Sequence, residues 1–332
     1  MTIEPVNNSR VLVTGASGFV GQHLTAALAV WGRRVRAALR HPVTLAGLGL
    51  YESVVVSGLD ATTDWTAALT DVDSVVHLAA RVHVMQDKAL DPLADFRRVN
   101  VSGTLQLAQQ AADAGIRRFI FISSVKVNGE GTPVARPYTA DDVPAPVDAY
   151  GISKLEAEQG LLAIAASTGL EVVIIRPVLV YGSGVRANFL KMMQWLDRGL
   201  PLPLGAINNR RSLVGVDNLV SLILACVDHP DAANQVFLAS DGEDLSTTAL
   251  MHRTALALGK SARLVPVPEA VLTLIAGLLG KRDVAQRLCG SLQVDIDKTR
   301  RILGWTPPLS VDAGLALAAQ DFLRQKQAHL TV

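Results

Sequence analysis

Short runs of Val, Ile and Leu alternate with Ala/Leu-rich stretches of helical period through the first 180 residues. The runs are "RVLVTG", "RRVRAAL", "SVVVSG", "SVVHLAA", "RRFIFISS" and "EVVIIRPVLVYG". A run that is apolar at nearly every position suits a strand buried on both faces. Strands of that kind alternating with helices predict βαβ units, so the fold class is α/β, with a doubly wound parallel sheet covered by helices. From about Ser183 the rhythm breaks into helices, prolines and short strand candidates without regular order. This predicts a sheet domain over residues 1–182 and a mainly separate, smaller lobe over 183–332. The chain is expected to return to the sheet near 211–240, at "RRSLVGVDN" and "QVFLAS". Such a lobe closes over the carboxyl ends of the strands, where open α/β sheets bind their ligands.

The longest apolar run, "AVLTLIAGLLG" (Ala270 to Gly280), is about half the length needed to span a bilayer. It is read as a buried helix, with an interfacial anchor for a polyprenol-linked substrate as the alternative. Among 332 residues, 49% are hydrophobic and 18% charged, enough for a large core. Thirty-one basic residues against thirty acidic leave a net charge of +1, which gives no electrostatic case for nucleic acid or for coating an anionic surface. Cys226 and Cys289 sit in apolar, helix-like segments and are read as buried thiols. The start "MTIEPVNNSR" has no basic-then-apolar leader pattern, so a cytoplasmic protein with no stable membrane span is expected.

Gly15, Gly18 and Gly21 lie between the first strand and a helix opening at Phe19 and Val20. Glycine permits the tight turn and lets backbone N–H groups approach a pyrophosphate at the helix N-terminus. At the first strand of a βαβ series, this spacing reads as a dinucleotide site. An acid at the end of the second strand would bond the ribose of NAD, whereas a basic group accommodates the 2′-phosphate of NADP. Here the strand ends "RRVRAALRHP", with Arg40 and no acid. Arg40, helped by Arg33 or Arg36, favours NADP(H), with NAD(H) as the alternative. Asp60 is placed near the adenine or as a helix N-cap.

"AYGISKLEAE" places Tyr150 and Lys154 four residues apart on one helix face. A free tyrosine has a pKa near 10, and a neighbouring ammonium favours its phenolate. Upstream, Ser123 and Ser124 end a buried strand, where a hydroxyl can bond a substrate oxygen beside the tyrosine.

With these three elements the chain resembles the extended short-chain dehydrogenase/reductase superfamily, in its nucleotide-sugar epimerase, dehydratase and reductase branch. The resemblance runs through TGASGFVG, HLAA at 77–80, RVNVSGT, the serine strand, YGISK and RPVLVYGSGVRANF. It implies Tyr150 as acid/base, Lys154 as its partner and ribose ligand, and Ser124 as ligand of the substrate oxygen. Gly15, Gly18, Phe19, Val20, Gly21, Leu78, Ala79, Ala80, Tyr150, Lys154 and Pro177 would line the cofactor, and Asn100 would support the backbone there. Asn188, Phe189, Arg211 and Arg287 would grip the nucleotide diphosphate, and Asn128 would lie near the sugar ring. A homodimer through two helices of the sheet domain is a further implication.

Family dehydratases carry an Asp-Glu pair after the catalytic hydroxyl residue; this chain has Val125-Lys126, which argues against elimination. The two remaining readings both act at C4 of a UDP-linked sugar. With Arg40, the expected reaction is NADPH-dependent reduction of a UDP-4-keto-6-deoxy-N-acetylhexosamine for surface polysaccharide; the alternative is an NAD-dependent UDP-sugar 4-epimerase. A non-catalytic NADP-binding regulator is disfavoured because tyrosine, lysine and serine are all present. His77 and His83 lack ligand-spaced companions, so no metal site is expected.

Overall fold

Strands β1 (Arg10–Thr14), β2 (Arg34–Leu39), β3 (Tyr51–Val55), β4 (Ser74–His77), β5 (Arg118–Ile122) and β6 (Glu171–Pro177) run parallel in one sheet. Two strands in another sheet, β7 (Leu179–Tyr181) and β8 (Arg211–Gly215), precede β9 (Gln235–Ala239), which returns to complete the order β3-β2-β1-β4-β5-β6-β9. The structure is a computed structural model and describes residues 9–41, 51–82, 91–280 and 282–330. His83 and most of the amino-terminal segment read above lie outside the described residues.

Twelve helices occur among these residues: α1 (Phe19–Val30), α2 (Thr66–Leu69), α3 (Pro92–Phe96), α4 (Gly103–Asp113), α5 (Ala149–Thr168), α6 (Ala187–Asp197), α7 (Val216–Asp228), α8 (Thr247–Ala257), α9 (Glu269–Leu278), α10 (Arg282–Cys289), α11 (Asp297–Leu303) and α12 (Val311–Leu330). Strand residues alternate between the two faces of the sheet. Val11, Val13, Ile120 and Ile175 pack with Leu24 and Leu28 of α1 and Leu219 and Ile223 of α7. Leu12, Phe119, Phe121 and Ile174 pack on the other face, with Leu107 of α4 and Leu161 of α5. The expected doubly wound α/β sheet is therefore present, with its order reversing between β1 and β4.

Arg118 is fully buried on β5 and ties it to the end of α7. It donates to the carbonyls of Cys226 (2.8 Å), Val227 (3.1 Å) and His229 (2.8 Å), and pairs with Glu171 (2.7 Å). A cation at a helix C-terminus satisfies carbonyls that lack intrahelical partners and complements the helix dipole. Cys226 and Cys289 are buried free thiols.

Two expectations need correction. "RRSLVG" does not return to the main sheet: β8 pairs with β7 and with β10 (Asp244–Leu245) in a three-stranded sheet of its own. The run "EVVIIRPVLVYG" accordingly breaks at Val178, passing from one sheet to the other. The second sheet joins α6, α8 and α12 around a core containing Tyr181, Phe189, Met193, Leu213 and Leu315. The second correction concerns α9, which was expected to be buried and contains no buried residue. No helix among the described residues is long and apolar enough to cross a membrane.

Candidate active site

Four strand ends converge where the sheet order reverses. At the end of β1, Gly15 adopts φ +69°, and a Cβ there would lie 2.8 Å from the backbone nitrogen of Ala79, just after β4. Gly21 packs the first turn of α1 onto this loop, since its Cβ would fall 2.1 Å from Gly15 O. Between them, a Cβ on Gly18 would meet only Gly15 O, at 3.1 Å. Gly18 caps α1 without a side-chain hydrogen bond, and the first turn carries no acid, so the positive end of the helix is presented by Phe19 and Val20. This cradle fits a dinucleotide pyrophosphate. Leu78–Ala80 follow β4 along the same edge; Ala79 N donates to Thr14 Oγ1 (3.2 Å), locking the two strand ends together.

Beneath that edge His77 is fully buried. Its Nδ1 lies 2.7 Å from Thr14 Oγ1 and its Nε2 3.0 Å from Thr104 Oγ1, a set satisfied by a neutral ring protonated on Nε2. Burial, reinforced by nearby Lys154, pushes its pKa down to about 3. Asn100 sits in a π-helical turn, Arg97–Ser102, that leads into α4. It accepts from Arg81 N (2.8 Å) and donates to Arg81 O (3.0 Å) and to Ser153 Oγ (3.0 Å). Asn100 thereby fastens the backbone after β4 to α5.

Helix α5 starts at Asp148, whose Oδ1 accepts from Gly151 N (2.7 Å). Gly151 is required there because a Cβ would lie 2.8 Å from Lys126 O. Tyr150 therefore leaves the first turn directly against the serine loop. Burial and the charge of Asp148 push its hydroxyl's pKa up to about 12, while the neighbouring Ser124 acts in the opposite direction. Its ring meets Phe96 edge-on at 6.0 Å. Lys154, one turn along, is buried, donates to Ile122 O (2.8 Å) and lies 4.3 Å over the Phe121 ring. Burial pulls its pKa down to about 7, against the opposing charge of Glu158. The structure thus brings Ser124, Tyr150 and Lys154 together; Pro177 ends β6, the strand paired with β5.

Neighbouring residues behave differently from expectation. Ser123 does not face the tyrosine; its hydroxyl donates to Glu158 Oε1 in the interior. Adjacent residues of an extended chain point to opposite sides, so only one of the two serines can join Tyr150. Glu158 forms a buried fork with Arg176 (Nη2–Oε2 2.6 Å, Nε–Oε1 3.0 Å). Arg176 Nη1 in turn donates to Asn128 Oδ1 (3.1 Å), and Asn128 Nδ2 to Thr139 O (3.1 Å). Asn128, expected near the sugar ring, is thus a buried link in this network. Neither Glu158 nor Arg176 was anticipated, although Glu158 lies four residues after Lys154, on the same side of the helix. Lys126 Nζ donates to Glu130 Oε1 (2.9 Å) and to Asp148 Oδ2, so a cation stands beside the cap of α5.

The arginines after α1 also divide. Arg36 is committed to Glu52 (2.8 Å) and to the carbonyls of Ala68 (3.1 Å) and Thr70 (2.5 Å). Arg33 pairs with Asp228 (2.5 Å), before β2 and at the opposite end of that strand from the glycine turn. Neither supports a cofactor phosphate. Arg40 alone is exposed at the carboxyl end of β2, with no ion pair to any described residue. Asp60 closes a turn before α2: its Oδ1 accepts from Thr62 N (2.9 Å) and Thr62 Oγ1 (2.8 Å), so it caps no helix.

In the lobe, Asn188 is exposed in the first turn of α6, after Ala187 at φ +54°. Phe189 is buried and stacks on Tyr181 at 5.5 Å, so it belongs to the core rather than to a ligand surface. Arg211 donates to Gly290 O (2.9 Å) and is in register with Leu292, which brings it to the segment that follows exposed Arg287 on α10.

A glycine cradle on β1 and a Ser–Tyr–Lys set on β5 and α5, in one reversing parallel sheet, match a known family model over residues 11–239, that of the NAD dependent epimerase/dehydratase family. The chain belongs to this family. It is an NAD(P)-dependent oxidoreductase of the extended short-chain dehydrogenase/reductase type. It is similar to a UDP-glucose 4-epimerase of Vibrio cholerae, 49% identical over 316 residues that cover 95% of each chain. A GDP-6-deoxy-D-mannose reductase of Pseudomonas aeruginosa is 28% identical over 322 residues, covering 94% of this chain and 97% of its own. Among solved structures, MoeE5 in complex with UDP-glucuronic acid and NAD superposes with a TM-score of 0.76 at 26% identity, covering 96% of this chain and all of that one.

Proposed function

We propose that the protein is a UDP-hexose 4-epimerase. The observation that carries this reading is the 49% identity, over 95% of both chains, to an epimerase of UDP-glucose. The site contains the groups the reaction needs. A bound oxidised nicotinamide would supply the hydride acceptor and a positive charge beside the phenol. Gly15, Gly18 and Gly21 with the N-terminus of α1 would hold its pyrophosphate, and Lys154 its ribose. Tyr150, converted to its phenolate by the positive charge that the bound nicotinamide would add, takes the proton of the 4-hydroxyl as C4 is oxidised and returns it when C4 is reduced on the other face. Ser124, beside the same phenol, would hold the sugar oxygen in line with it. Arg211, Arg287 and Asn188 would meet the diphosphate, where a guanidinium fork suits phosphate oxygens. Elimination is disfavoured because Lys126, tied to Asp148 and Glu130, stands where dehydratases place a carboxylate.

The test is to incubate purified protein with UDP-glucose, and separately with UDP-N-acetylglucosamine, without added coenzyme and to separate the C4 epimers. Interconversion is expected. Tyr150→Phe should lower turnover by roughly 10²–10⁴-fold; near-normal turnover would exclude Tyr150 as the acid/base.

A second reading rests on Arg40, exposed at the end of β2 without an accompanying acid. It favours NADPH and hence a 4-keto reductase, which must exchange its coenzyme at each turnover. Absorbance decay of NADPH with UDP-4-keto-6-deoxy-N-acetylglucosamine, in a protein that does not epimerise the first two sugars, would establish it. In that case Arg40→Asp should shift preference toward NADH.

A further inference from the structure

Helix α9 is built the opposite way round from the other helices of the lobe. Its large aliphatic residues Val271, Leu274, Ile275 and Leu278 recur at the i, i+3, i+4, i+7 spacing of a single helical stripe, and Leu279 extends it. That stripe faces solvent: Leu274 is 65% exposed, Leu278 80% and Leu279 66%. The side turned toward the lobe core carries Leu272, with the small residues Ala276 and Gly277 also partly covered. A contiguous aliphatic surface of this kind marks a binding face rather than scattered surface residues.

The character of the face selects its partner. It contains no aromatic residue, methionine or arginine, the types that enrich the centres of protein–protein contacts. Its flanks are net basic in sequence: Lys260 and Arg263 precede it and Lys281 and Arg282 follow, against only Glu269 and Asp283. In a chain of net charge +1, the sequence on either side of this outward-facing aliphatic helix is thus net basic. Ten residues of helix reach only about 15 Å, too short to span a bilayer but suited to lying in its surface. We infer that α9 seats the protein on an anionic lipid bilayer, with its aliphatic stripe at the acyl boundary and the flanking cations among the headgroups. The inference is independent of which C4 reaction the enzyme performs.

Flotation of the full-length protein with phosphatidylglycerol/phosphatidylethanolamine vesicles, and with phosphatidylcholine vesicles as control, tests it. Binding to the anionic vesicles is expected, weakening as salt rises. The double variant Leu274→Asp/Leu278→Asp should lower the bound fraction roughly tenfold or more, with unchanged circular dichroism and unchanged turnover of a water-soluble nucleotide sugar. No binding by the unaltered protein, or equal binding by the variant, would overturn the assignment. So would light scattering that finds a dimer which the variant dissociates, with no vesicle binding, because the face would then join two copies of the chain.

Discussion

At the scale of single residues, the site stores charge in unequal places. Tyr150 rests as a neutral phenol, and Lys126 offsets the carboxylate of Asp148 that would otherwise push it further in that direction. Lys126→Met should therefore move the ascending limb of the pH–kcat profile to higher pH, while Lys126→Arg should leave it in place; steady-state rates across pH 6–10 would read the difference. His77 has the opposite sense. Its folded pKa of about 3 lies below the value of about 6.5 for an unfolded histidine. Its contribution to stability is complete above pH ~6.5 and is lost as pH falls toward 3. His77→Gln should flatten that acid limb, by on the order of a few kcal/mol, in denaturant titrations at pH 4 and 7. The glycine turn, Tyr150 and Lys154 were legible because their spacing is local and each fixes its own geometry. Which serine of the pair reaches the tyrosine was not legible, because it depends on which side of the sheet Glu158 occupies.

Among the elements, α5 carries more of the site than its motif discloses. Its first turn presents Tyr150, its second presents Lys154, and Glu158 then pins it to β6 through Arg176. Removing one member of that pair leaves a buried, uncompensated charge, so Glu158→Gln should cost about 3–5 kcal/mol. Glu158→Leu with Arg176→Met should recover much of the loss, which chemical denaturation would measure. Strands β1, β4, β5 and β6 were legible because burial on both faces leaves nearly uninterrupted apolar runs. Strand β8 carries the same kind of run, and composition does not tell one sheet from another; its partners β7 and β10 decide. Helix α9 misled for a related reason. An apolar run reports that water is unfavourable around it, and does not report whether protein or something else replaces the water.

Across the whole molecule, chain order and spatial order part company. Residues 183–210 build lobe before the sheet is finished, and only afterwards do α7 and β9 supply one layer of cover and the last strand. A fragment ending at residue 210 should consequently fail to give a protease-resistant core, whereas the whole chain should; limited trypsin digestion of both would show it. The buried guanidinium of Arg118 gives this arrangement a meaning for synthesis. When β6 has just been synthesised, the carbonyls that Arg118 will bind, from Cys226 to His229, are still about fifty residues from being translated. During that interval the face of the sheet later covered by α7 is bare and the edge of β6 is open, the surfaces on which nascent chains stick to one another. The protein therefore has a stretch of its own elongation, between roughly residues 180 and 240, in which a holding chaperone would have the most to shield.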